Sequence, residues 1–190
     1  MPRIKSEDKR DAILTAATHV FAERGLSAPT LAISTHARIS EGALFTYFKT
    51  KDELVNALYQ QIKLELADAM MSGFPRRQSV KHRLKHVWDR YVEWGVENPL
   101  QQRVLKQIDL HGDLSKESKA AGMTPFLEVQ KMADDAIEQR MLRDLPLAYI
   151  AATLSAMAET SMEFMQRDAS RAELYQGAGF EMLWAAIRAK

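Results

Sequence analysis

The sequence predicts an all-α protein of about nine helices. Three observations carry that expectation. Apolar residues recur at helical intervals along most of the chain, with no sustained alternation of the strand kind. Glycine and proline are few, 8 and 6 in 190 residues, and they fall between the periodic stretches. Two stretches open on a hydroxyl followed three residues later by glutamate, Thr50-Lys51-Asp52-Glu53 and Ser170-Arg171-Ala172-Glu173. That is the pattern of a capping box, in which the hydroxyl accepts a backbone N–H and the glutamate reaches back.

The elements follow in order. Ile13, Ala17, Val20 and Phe21 share one face of a first helix, and Gly25 is its stop signal. Thr30 can cap a short helix whose apolar face is Ile33 and Ala37, and Ile39 plugs inward from a tight turn. Ser40 can cap a second short helix beginning Glu41-Gly42-Ala43, with Leu44 and Phe48 toward the core. Leu54, Leu58, Ile62 and Leu66 form the next stripe; Val80, Leu84, Val87, Trp88 and Tyr91 form another, ended by Asn98-Pro99. Pro146 suits a first helical turn, and Leu147, Ile150, Leu154, Met157, Ser161 and Phe164 continue from it. Leu174, Ala178, Met182 and Ile187 make the last stripe.

Composition narrows the chemistry. The sequence holds no cysteine, so disulfides, thiolate metal sites and cysteine nucleophiles are all excluded. No apolar run approaches the ~20 residues that span a bilayer, and the charged start Met1 to Arg10 does not read as a signal peptide. A cytoplasmic location with no membrane partner is the expectation. The net charge of +1 excludes a wholly basic coat, so any nucleic-acid surface is local. Residues 1–51 hold eight basic against five acidic side chains, a mild excess at that end.

Two short helices joined by a brief turn, residues 30–48, make a helix-turn-helix. The second starts with small residues, so its backbone can approach a base edge. Thr46, Tyr47, Lys49 and Lys51 offer hydroxyls and ammonium groups to phosphate oxygens, while Glu41, Ala43 and Thr46 are placed to alter sequence preference.

These residues carry a resemblance. Ile13-Leu14-x-Ala16-Ala17-x-x-x-Phe21-Ala22-x-x-Gly25, Thr30-x-x-Ile33 and Ser40-x-Gly42-x-Leu44-Phe45-x-Tyr47-Phe48-x-x-Lys51-x-x-Leu54 resemble the N-terminal DNA-binding domain of TetR/AcrR-type repressors. Two positions depart from that pattern. Arg38 stands where the family usually has glycine, and Phe45 where it often has tyrosine, which removes one hydroxyl from the phosphate contacts. Arg38 is either strained or also reaches phosphate. The candidate DNA contacts are therefore Lys5, Thr30, Arg38, Ser40, Glu41, Gly42, Ala43, Thr46, Tyr47, Lys49 and Lys51.

The likeness runs further. Ser6-Glu7-Asp8-Lys9, Trp94-Gly95-x-x-Asn98-Pro99, Ala158-Glu159-Thr160-x-Met162-x-Phe164-x-x-Arg167-Asp168 and Gly179-Phe180-Glu181-x-x-Trp184 are similar to the RamR-type multidrug-responsive repressors of that family. The resemblance implies a DNA-binding domain over 1–53 and a ligand-binding and dimerisation domain over 54–190. It implies a homodimer through the last two helices, which are rich in alanine and glycine, on a pseudo-palindromic double-stranded operator. It also implies a small apolar or cationic effector and the control of efflux or stress genes. Tyr59, Ile62, Leu66 and Met70 lie on one face of the fourth helix, and Leu84, Trp88 and Tyr91 on the fifth. Aromatic walls with flexible methionine suit flat apolar ligands, and the same spacing also suits plain core. The resemblance assigns these residues to the pocket and adds Ala136, Ala151 and Leu154. At Leu154 an aliphatic side chain replaces a stacking ring. Glu159, in an apolar run, either meets a cationic ligand or bonds a neighbouring helix.

An enzyme is not expected, because the sequence shows no nucleophile elbow, phosphate loop or acid–base pair. No cofactor is implied. Two alternatives stand beside the repressor: a helical adaptor for protein partners, and a metal-responsive regulator using His82 and His86, which share a face with Asp89. The surrounding Lys81-His82-Arg83-Leu84-Lys85-His86 reads better as a solvated basic face than as a metal site.

Overall fold

The computed structural model describes the backbone of residues 2–111 and 113–189, and the side chains of 7–110 and 113–189. In chain order the helices are α1 (Pro2–Arg24), α2 (Thr30–His36), α3 (Glu41–Tyr47), α4 (Lys51–Met71), α5 (Val80–Glu97), α6 (Pro99–His111), α7 (Lys116–Met123), α8 (Leu127–Glu138), α9 (Leu147–Arg167) and α10 (Ala172–Ile187). Short 3-10 turns occupy Thr124–Phe126 and Ala169–Arg171. The all-α expectation holds, with ten α-helices among the described residues against about nine. The extended pairing there is one isolated bridge, Leu142 with Arg188.

The helices end where local chemistry stops them. Gly25 closes α1 at φ +82°, a left-handed angle that costs glycine nothing, and its N–H returns to the Phe21 carbonyl at 2.9 Å. Asn98 closes α5 by giving its backbone N–H to Trp94 O at 2.8 Å, and Pro99, which has no N–H to continue the ladder, opens α6. Thr50 Oγ1 accepts the Glu53 N–H at 3.0 Å as expected of a capping box, but the Glu53 carboxylate takes the Lys49 N–H at 2.8 Å, one residue earlier than the pattern predicts. The second box does not form. Ser170 donates its hydroxyl to Asp168 Oδ1 at 2.6 Å inside the 3-10 turn, and α10 starts behind Arg171 without a side-chain cap.

The chain folds as two compact units: residues 1–64 with 99–123, and residues 65–98 with 124–190. The first holds all of the N-terminal domain expected over 1–53, together with residues 54–64, α6 and α7. Its core is built from Ile13, Leu14, Ala17, Phe21, Ile33, Leu44, Phe48, Leu54 and Leu58. Helices α2 and α6 both pack on α1, and α6 adds the buried Val104 and Ile108. The stacked rings of His19 and His36, 5.2 Å apart, join α1 to α2.

In the second unit α5, α9 and α10 pack on one another, and α8 packs on α5 and α9. Trp88 is wholly buried, donates its indole N–H to Gln176 O at 2.9 Å, and meets the Phe180 ring at 6.5 Å. Gly179 makes this possible, since a Cβ there would lie 2.6 Å from Trp88 Cζ2 and would also strike Ser161 Oγ.

The last stripe is a correction. Of Leu174, Ala178, Met182 and Ile187, only Ile187 is buried; Leu174 and Met182 are 59% and 60% exposed. The buried face of α10 is Gly179, Phe180, Leu183 and Ile187. Helix α10 carries apolar side chains on more than one face, so its periodicity did not choose between them. On α9, Phe164 and Tyr149 are likewise exposed, beside exposed Ala148, Ala151, Ala152 and Ala156.

Candidate nucleic-acid interface

The site is built on α2, the turn after it, and α3. The turn is a Schellman motif: Ile39 N–H reaches Ser34 O at 3.0 Å and Arg38 N–H reaches Thr35 O at 3.1 Å. That places Arg38 at the position where the chain must turn left-handed, and its φ is +56°. The strain expected from the missing glycine is present. An L-residue there costs of order 1 kcal/mol or more.

Ser40 caps α3 as expected, its hydroxyl oxygen accepting the Ala43 N–H at 3.2 Å. Leu44 and Phe48 are buried, contributing about 1.5–3 kcal/mol each. That anchoring fixes which side of α3 faces out. Gly42, Phe45 and Thr46 are exposed at i, i+3 and i+4, one helical face; Glu41, Ala43 and Tyr47 flank it half-buried, and Lys49 is exposed beyond the end of the helix.

Thr30 differs from its expected role. Pro29 occupies the N-cap of α2, and the Thr30 hydroxyl instead donates to Glu41 Oε1 at 2.6 Å, tying the starts of α2 and α3 together. Glu41 is thereby partly committed to structure. Two cations brace the unit from outside the turn. The Arg10 guanidinium lies 5.4 Å from the Phe48 ring centroid, and the Lys51 ammonium 5.8 Å from that of Phe21. Arg10 was not among the sequence candidates; its partner is 38 positions away, and no local pattern marks it. Arg38 and Lys49 are exposed, whereas the side chain of Lys5 lies outside the described residues.

The residues assigned to a ligand pocket fall in both units. In the first, Tyr59 and Ile62 are buried, and Tyr59 packs so tightly on Gly122 that a Cβ there would lie 2.5 Å from its Cε1. Burial raises the Tyr59 phenol above its usual pKa, aided by the charge of Asp109. Burial also lowers the ammonium of Lys63, one turn further on, against the opposing pull of Asp109. In the second unit Leu66, Met70, Leu84, Trp88 and Ala136 are buried, Tyr91 and Leu154 are half-buried, and Ala151 is exposed. Trp88 is committed to packing on α10 there. The second unit also has an open cleft of about 620 Å³, lined by Ile137, Arg140, Leu142, Arg143, Asp144 and Ala189. Of the expected pocket residues, none borders it.

His82, His86 and Asp89 do not converge. His82 Nδ1 pairs with Ser79 Oγ at 2.8 Å, His86 Nε2 with Met70 O at 3.0 Å, and Asp89 with Lys85 Nζ at 2.6 Å. Glu159 is half-buried on α9.

Comparison with known proteins agrees with this geometry. Residues 13–58 match the family model described as bacterial regulatory proteins, tetR family. The nucleoid occlusion factor SlmA of Haemophilus influenzae is 24% identical over 189 residues, covering 95% of this chain and 85% of that protein. A TetR family transcription regulator from Marinobacter aquaeolei has the same fold at TM-score 0.85 and 19% identity, covering 99% of this chain and 100% of that one. The TetR-like regulator LfrR from Mycobacterium smegmatis, in complex with proflavine, superposes at TM-score 0.65 and 16% identity, covering 92% and 94%. These relatives are described as regulators and a nucleoid occlusion factor. No described helix is long and apolar enough to cross a membrane. Residues 13–58 are thus similar to the tetR-family regulatory proteins, and the fold of the chain is the one seen in solved TetR-family transcription regulators.

Proposed function

We propose that this chain is a dimeric, ligand-responsive transcriptional repressor that sets α3 of each subunit into the major groove of a pseudo-palindromic operator. The observation that carries the reading is the orientation of α3: Leu44 and the C-cap Phe48 are buried, and Gly42, Phe45 and Thr46 stand exposed on the other side, with Lys49 exposed just beyond the helix. Ser40, Arg38, Tyr47, Lys49 and Lys51 surround that face with donors suited to phosphate. Residues 1–53 serve DNA and 54–190 serve ligand and dimer. The second copy packs on the exposed apolar faces of α9 and α10, including Phe164, Leu174 and Met182.

The effector is a small apolar or cationic compound, the ligand class of the RamR-type repressors that the sequence resembles. The proflavine bound by LfrR, a flat aromatic cation, supports that ligand class. A full switch from bound to free requires the effector to favour the released state by ~5.5 kcal/mol. Efflux or stress genes are the proposed targets, and the protein works in the cytoplasm. A gel shift tests the core of the reading: at low salt the purified protein retards DNA from upstream of its own gene, and adding proflavine releases it. Free DNA migrating unchanged across the protein titration defeats the repressor.

One observation favours a second reading. The SlmA relative spans nearly the whole chain and is described as a nucleoid occlusion factor. On this reading the chain acts at sites scattered over the nucleoid and not at a few promoters. Genome-wide occupancy separates the two, with a handful of promoters for the repressor and widely scattered sites for the alternative.

A further inference from the structure

We infer that the exposed face of α3 reads the C5-methyl groups of thymine, with Phe45 and Thr46 as the contacting side chains. The inference rests on the DNA-binding reading above and names the bases it selects. Helix α3 is Glu-Gly-Ala-Leu-Phe-Thr-Tyr, with no arginine, lysine, asparagine or glutamine. The bidentate readers of guanine and adenine are therefore missing from it.

Two of its three polar side chains, those of Glu41 and Thr46, are already engaged. Glu41 Oε1 accepts the Thr30 hydroxyl at 2.6 Å, and the Thr46 hydroxyl donates to Gly42 O at 3.1 Å. The Thr46 hydrogen is thus spent inside the helix, and its methyl remains for contact. Phe45 is 41% exposed on the same face. Gly42 presents no side chain, and a Cβ built there meets nothing within 4 Å, so space is open beside Phe45 and Thr46. What this face offers a major groove is apolar surface, flanked by the exposed cations Arg38 and Lys49. The apolar feature of that groove is the thymine methyl.

One buried methyl is worth about 0.8 kcal/mol, close to fourfold in Kd. The test uses the full chain and a pool of duplexes randomised over about two helical turns. Retained duplexes are expected to share thymines in each half-site. Replacing those thymines one at a time by deoxyuridine removes only the methyl, and binding should weaken about fourfold at one or two positions per half-site. Phe45→Ala should bring the thymine-to-uridine ratio to about one at one of these positions, and Thr46→Ser at the other. Both residues are exposed, so unchanged melting temperatures should accompany the loss.

Silent uridine substitution at every thymine overturns the inference, as do ratios unchanged in both variants. Duplexes retained without sequence enrichment leave DNA binding standing and defeat methyl readout. A pool from which nothing is retained defeats the DNA-binding reading, and this inference with it.

Discussion

Arg38 sits at a backbone position that favours glycine, at φ +56°. Retaining arginine there has a cost that a variant can measure. Arg38→Gly should raise stability by about 0.5–1 kcal/mol. For a chain of this size that is roughly 1–4 °C in Tm. If the guanidinium also reaches phosphate, the same variant binds DNA more weakly with a shallower salt dependence. Ser40→Ala should cost about 1 kcal/mol, because Ala43 loses its acceptor at the start of α3. Thermal melts of the two variants should therefore shift in opposite directions.

Lys63 adds a pH signature. Its pKa is lowered in the folded chain, chiefly by burial. Between that lowered value and the unfolded one near 10.4, the unfolded state binds more protons. Stability from this group therefore rises with pH across that window and is lost as pH falls through the folded pKa. Tyr59, with its pKa raised by burial, acts in the opposite sense above about pH 10. Lys63→Met should flatten the rise seen below pH 10, measured by melts at closely spaced pH.

Among the elements, α3 and α10 show what a sequence can and cannot specify. Helix α3 was legible because Ser40 marks its start and the spacing of Leu44 and Phe48 from it sets the inner side. Helix α10 was not. Leucine, methionine, phenylalanine, tryptophan and alanine fall on several of its faces, and the fit of Gly179 against Trp88 and Ser161 fixes the inner side with Phe180, Leu183 and Ile187. Gly179→Ala should cost about 1–3 kcal/mol by overpacking that junction. The melting temperature should fall accordingly, whereas Ala178→Gly on the exposed side should cost only about 1 kcal/mol of helix propensity.

The DNA-facing residues were legible in the same uneven way. Ser40, Thr46 and Lys49 follow from local spacing, because a helix start fixes which residues share a face. The Thr30–Glu41 bond and the Arg10–Phe48 contact join separate elements, so only the folded chain displays them.

For the molecule as a whole, two-fold symmetry is the condition for operator binding. The exposed apolar faces of α9 and α10 are where the account puts the twin subunit. Met182→Glu should convert a dimer to a monomer in sedimentation velocity and, by removing the second tethered head, weaken operator binding by about 10²-fold or more. A dimer unaffected by the glutamate would move the interface elsewhere.

The most direct test of the central claim, that the Gly42–Phe45–Thr46 face of α3 sits against bases, is a footprint on DNA from upstream of the gene. The account predicts two protected patches on one side of the duplex, related by a two-fold axis and centred in successive major grooves about 34–36 Å or slightly more apart. Contacts at each patch should be lost when Gly42 becomes glutamate. A footprint confined to the minor groove, or one unchanged by that substitution, would contradict it.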